Sequence, residues 1–151
     1  MIYLDHNATT PLDARVLEAM LPYLRGPYAN PSSQHRMGRA ARDAIETARG
    51  QVAALVGAEP GTVIFTSGGT ESNNLAVKGA ALAAPQGRLL YSAVEHPCVL
   101  EPMRALAGRG WQVETMAVDG EGRVDAAAFA RQLAGGDVRL VSCMIANNET
   151  G

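Results

Sequence analysis

From Gly57 onward, short β-branched or apolar runs alternate with amphipathic helical stretches, and this alternation limits the possible folds more than any other feature of the chain. Thr62–Thr66, Arg88–Ser92, Trp111–Met116 and Val138–Ile145 read as strands. Residues 70–84, Pro97–Ala107 and a segment capped by Asp125 read as helices. Strands joined through helices run parallel, so the expected fold class is α/β with a doubly wound, mostly parallel sheet. The nearly continuous apolar run Val138–Ile145 fits a strand covered on both faces and puts Cys143 in the core. Thr62–Thr66 reads as a buried strand entering the glycine-rich turn Ser67-Gly68-Gly69.

An N-terminal helical segment precedes the sheet. Met1–Pro11 is turn-like, and Asp13 can cap a helix whose Val16, Leu17, Met20, Leu21 and Leu24 follow the 3.6-residue period, with Gly26-Pro27 as its stop. Residues 26–33 carry two prolines and several turn formers, so they read as a loop. A long helix from about Gln34 to Val56 sets Ala41, Ile45, Ala48, Val52 and Leu55 on one face and ends at Gly57. The expected division is an arm and helices over 1–57, then the sheet-bearing part over 58–151.

Composition excludes several functions. The net charge is −2 over 151 residues with no block of like charge, which removes the footprint of a nucleic-acid binder. No apolar run approaches the ~18 to 20 residues of a membrane span, and Met1–Asp5 lacks the basic start of a secretory signal. Two distant cysteines, Cys98 and Cys143, indicate neither a disulfide framework nor a metal site, and the expected setting is the reducing cytoplasm. The 13 basic residues are 12 arginines and Lys78, so lysine chemistry has one candidate.

In an open parallel sheet, ligands bind outside the carboxyl ends of the strands. The first predicted strand leads into Ser67-Gly68-Gly69-Thr70-Glu71-Ser72-Asn73-Asn74, the second into Glu95-His96-Pro97, and the last into Asn147-Asn148-Glu149. The glycines let backbone N–H groups approach an anion, the next helix adds positive dipole, and Ser67 and Thr70 offer hydroxyl donors. Neither GxxxxGK[ST] nor GxGxxG is present, so a retained phosphate monoester suits this neutral cup better than a transferred phosphoryl group. The plain alternative is a tight turn capped by Thr70. His96 at a helix start can stack or shuttle protons as a neutral imidazole, or simply cap the helix. Asn147 and Asn148 are also ordinary turn formers, and Glu149 reads as solvated. Cys98 reads as structural. Lys78, about two turns beyond Thr70, reads as exposed and pointing away from the cup.

Together these motifs resemble the cysteine desulfurases. The segments that carry the likeness are Tyr3-Leu4-Asp5-His6-Asn7-Ala8-Thr9-Thr10-Pro11, Asn30-Pro31-Ser32-Ser33 with His35 to Gly38, Phe65–Asn74, Glu95-His96 and Asn147-Asn148-Glu149, in that order. The resemblance covers the whole chain and implies a class V, fold-type I enzyme that uses pyridoxal 5′-phosphate, with 58–151 as the first part of the large domain. It implies that Gly69 and Thr70 hold the cofactor phosphate, that His96 stacks on the pyridine ring and serves as a catalytic acid/base, and that Asn148 contacts the cofactor or substrate beside the ring. The implied reaction converts L-cysteine to alanine and passes sulfur as a persulfide to iron–sulfur assembly or another acceptor or scaffold protein. Full-length members are homodimers.

Members of that family run well over twice this length. Their Schiff-base lysine, nucleophilic cysteine, pyridine-pairing aspartate and substrate-binding arginine lie beyond the stretch matched here, so the chain alone is expected to be inactive. Two further readings stay open: a non-catalytic module that binds a phosphate-bearing ligand or pairs with a longer chain, and another class V enzyme such as a selenocysteine lyase.

Overall fold

The computed structural model describes residues 2–26 and 28–150. The chain divides into two compact units, Met1–Phe65 and Thr66–Gly151.

In the first unit, α1 spans Ala14–Arg25, and its N-cap Asp13 accepts from the Arg15 amide at 2.8 Å. Gly26 ends the helix, while Pro27, its expected partner in the stop, lies outside the described residues. Helix α2 spans Arg36–Val56. His35 caps it, with Nδ1 accepting from the Gly38 amide at 3.2 Å, and Gly57 closes it in the left-handed region at φ 67°. The preceding loop folds on Asn30, whose side chain accepts from Ser32 N and whose carbonyl accepts from Ser33 N. Arg42 fastens that loop to α2 by donating to the Pro31 carbonyl at 2.9 Å.

Both helices match the expected periodicity, but their apolar stripes do not form a core. Val16, Leu17, Met20 and Leu24 are exposed, and Leu55 is 85% exposed. Only Gly38 and Ala53 of α2 are buried. A hydrophobic period establishes a helix and its preferred face, but burial requires a partner surface.

The expected strand Thr62–Thr66 is absent. Pro60–Thr62 forms a single 3₁₀ turn, and Val63 leaves it extended at φ −81° and ψ 124° with no ladder beside it among the described residues. Val63 has the right local conformation, but a strand needs a neighbour to take its N–H and C=O groups. Here Arg49 donates to the Val63 carbonyl and lies over the Phe65 ring, 5.1 Å from its centroid. Ile64 remains 68% exposed, so the run is not buried either.

The second unit contains the sheet. Its elements are α3 (Gly69–Leu82), β1 (Arg88–Ser92), α4 (Pro97–Ala107), β2 (Gln112–Met116), α5 (Ala126–Ala134) and β3 (Val138–Ser142). All strand pairs are parallel, in the order β2-β1-β3. Leu89 stands between Val113 and Leu140, and this sheet face meets Val77 and Ala81 of α3 and Val99, Met103 and Leu106 of α4. Side chains alternate along a strand, so Arg88 and Leu90 point to the other face. There Arg88 donates to the carbonyls of Gln132 and Gly136 at the end of α5. α5 therefore meets the sheet from the side opposite α3 and α4 at the Arg88 end, while Val141, paired with Leu90 on that face, stays 37% exposed.

Arg88 also grips Glu114 across the β1–β2 ladder with two bonds, at 2.8 and 2.7 Å. This hydrogen-bonded pairing holds the Glu114 carboxyl below its usual range and raises the Arg88 guanidinium.

β3 is shorter than expected because its ladder ends at Ser142. Cys143, one residue past that end, is exposed rather than in the core, and Ile145 is fully exposed.

Candidate functional site

The parallel register brings the carboxyl ends of β1 and β3 side by side. Asn147, in the loop after β3, donates from Nδ2 to the Val94 carbonyl at 2.9 Å and so joins that loop to the one leading to His96. Its Oδ1 accepts from the amides of Glu149 and Thr150, making the turn expected of asparagine. The start of α3 comes to the start of α4 through Asn73, which donates to Cys98 Sγ at 2.9 Å.

Between α3 and α4 lies a cavity of about 380 Å³ lined by Thr70, Asn74, Lys78, His96, Cys98 and Glu101, among others. Thr70 and His96 thus share one cavity. Gly69, next to Thr70, has open space where a side chain would project. Asn148 is not part of this lining; it lies in the loop after β3, where Nδ2 donates to Glu149 Oε1 at 3.0 Å.

Lys78 is exposed, as expected, but its direction differs from expectation. Thr70, Asn74 and Lys78 recur every four residues and form one stripe along α3, so the lysine lies on the cup's side of the helix. Its position two turns on still separates it from Thr70 by about 12 Å along the axis.

The turn itself is built from polar straps. Glu71 Oε2 accepts from both the amide and the hydroxyl of Ser67, at 2.7 and 2.6 Å. Those bonds, the hydroxyl's first, hold the Glu71 carboxyl below its usual range. Ser67, expected as a free hydroxyl donor, is therefore already engaged. Thr66 Oγ1 bonds Ser72 Oγ at 2.7 Å and donates to the Gly68 carbonyl at 3.2 Å. The first helical bond runs from Ser72 N to Gly68 O, which leaves the amides of Gly69, Thr70 and Glu71 outside the helical ladder. Glu71 carries no role in the sequence reading because the usual capping signature spaces serine and glutamate by three residues. Here the spacing is four, and the straps appear only once the turn is seen.

His96 is the N-cap of α4. Its Nδ1 accepts from the Cys98 amide at 3.1 Å, which places the proton of the neutral ring on Nε2. No cluster of three or more metal-ligating side chains occurs among the described residues.

Three first-turn amides, the Thr70 hydroxyl and a glycine with open space beside it are uncharged donors able to seat an anion, with the Glu71 carboxylate in the same turn, and an exposed imidazole lines the cavity that Thr70 lines. That donor set fits the phosphate and ring of pyridoxal 5′-phosphate.

Comparison with known proteins identifies the family. The chain is 49% identical over 152 residues to cysteine desulfurase 2 of Trichormus variabilis, covering 100% of this chain and 38% of that protein. A solved NifS-like protein superposes with a TM-score of 0.91 at 40% identity, over 97% of this chain and 41% of that one. SspA in complex with cysteine gives 0.87 at 35% identity, over 99% and 43%. The chain thus spans about two fifths of the length of these relatives. With the Aminotransferase class-V profile matching residues 2–151, the chain belongs to the class-V aminotransferase family, and the relatives it resembles across its whole length are cysteine desulfurases.

Proposed function

We propose that this chain carries the phosphate-anchoring and ring-stacking part of a pyridoxal 5′-phosphate-dependent cysteine desulfurase, in which L-cysteine yields alanine and sulfur leaves as a persulfide to an iron–sulfur scaffold or other acceptor protein. The observation that carries the reading is the single cavity shared by Thr70, at the open N-terminus of α3, and His96, at that of α4.

In this reading Gly69 and Thr70 bind the phosphate through their amides and the Thr70 hydroxyl. His96 stacks on the ring, and because Nδ1 is held by Cys98 N–H, Nε2 is the nitrogen that can hold or deliver a proton. Asn148 would contact the ring or substrate from the loop after β3. The cofactor, when bound, supplies the electron sink for bonds broken at the amino-acid carbon. The division into an arm over 1–57 and the first part of a cofactor-binding domain over 58–151, a homodimer at full length and a cytoplasmic setting belong to the same proposal. Two free cysteines are consistent with a reducing compartment.

The test is a titration of the 151-residue chain with pyridoxal 5′-phosphate and with pyridoxal, followed by a sulfide assay with L-cysteine. The phosphate ester is expected to bind at least about tenfold more tightly, reflecting charge-assisted bonds to the cup. No sulfide is expected: of the groups that line the cavity with His96, Lys78 lies about 12 Å along α3 from Thr70 and Cys98 Sγ accepts from Asn73, while Cys143 is not in the lining. Equal binding of both ligands, or steady sulfide release by this chain alone, refutes the reading.

A further inference from the structure

We propose that Glu71 is a positioning residue for the phosphate cup: its carboxylate holds the turn so that the first amides of α3 converge on an anion. The proposal rests on the reading of that turn as a phosphate seat.

Three observations support it. A side chain added at Gly68 or Gly69 would meet nothing within 4 Å, so packing does not hold the turn in place. Gly68, the N-cap, has no side chain to cap the helix and lies extended at φ 163°. What remains are the straps, and the strongest is Glu71 Oε2 accepting two bonds from Ser67. Ser67 lies outside the helix, so this carboxylate takes none of the amides of Gly69, Thr70 and Glu71 that a phosphate would use.

Two effects of Glu71 oppose one another. A carboxylate beside an anion site repels the ligand, but at an exposed turn water and salt screen this to less than about threefold in affinity. Glu71→Gln keeps an oxygen that can accept from Ser67 but removes the charge that strengthens both bonds, so the loop loosens, and re-ordering it on binding costs more, about five- to tenfold. Charge alone therefore predicts that Glu71→Gln tightens phosphate binding, whereas positioning predicts that it weakens it.

The experiment measures affinities of the parent chain, Glu71→Gln and Ser67→Ala for pyridoxal 5′-phosphate and pyridoxal, with thermal unfolding followed in parallel. Glu71→Gln is expected to lose about five- to tenfold for the phosphate ester, with pyridoxal binding and the unfolding midpoint unchanged. Ser67→Ala keeps the amide bond to Glu71 and should lose less. Unchanged or tighter phosphate-ester binding by Glu71→Gln overturns the proposal, as does a parallel loss for both ligands together with a lower midpoint. A parent chain that does not discriminate the two ligands overturns the cup reading and this proposal with it.

Discussion

Gly38→Ala is expected to destabilise the unit Met1–Phe65 by about 3 kcal/mol or more. An added Cβ would overlap the Ser33 carbonyl oxygen and stand 2.7 Å from Ser33 Cβ and 2.8 Å from the Asn30 carbonyl oxygen. Two of these neighbours are backbone atoms of the loop that Arg42 fastens to α2, so they cannot rotate aside. Alanine's better helix propensity returns only about 1 kcal/mol, so the clash dominates. Gly50→Ala in the same helix meets nothing within 4 Å and should be neutral or stabilising by up to about 1 kcal/mol. Hydrogen exchange of the α2 amides reads both variants. Equal protection in the two would show that the loop 30–33 does not press on Gly38.

The second large effect is on binding. Gly69→Ala should leave folding intact, because nothing lies within 4 Å of the added methyl, yet weaken pyridoxal 5′-phosphate binding about tenfold or more. The open space beside Gly69 lies at the helix start where a ligand would meet the first-turn amides, and a methyl there keeps the phosphate from the backbone N–H groups. Gly79→Ala, at an equally open position near the far end of α3, is the control and should bind as the parent does. Titration of the three proteins decides the matter; parent-like affinity in Gly69→Ala would mean that the phosphate sits elsewhere.

Much of this molecule is legible in its sequence. β1 and α4 begin and end where residue pattern and Pro97 place them, and the caps Asp13 and Asp125 do what short acceptors at helix starts do. Those features are local. The errors concern partners. Val63–Phe65 has strand chemistry but no strand beside it, Leu55 has helical spacing but no surface over it, and Cys143 falls just past the last ladder bond. Local sequence cannot show what lies opposite a residue. At the site, the glycine turn and His96 were readable as candidates one at a time. Their sharing of a cavity, Lys78 on the same stripe and the Glu71 strap depend on how α3 and α4 pack, which becomes visible only in the structure.

In the proposed site the amides at the start of α3 and the ring of His96 receive one ligand together. Amide and imidazole resonances of the chain followed during titration with pyridoxal 5′-phosphate test it most directly. The Gly69 and Thr70 amides and the His96 ring signals are expected to shift together, with one binding constant. Shifts at His96 without Gly69 and Thr70, or at neither, would contradict it.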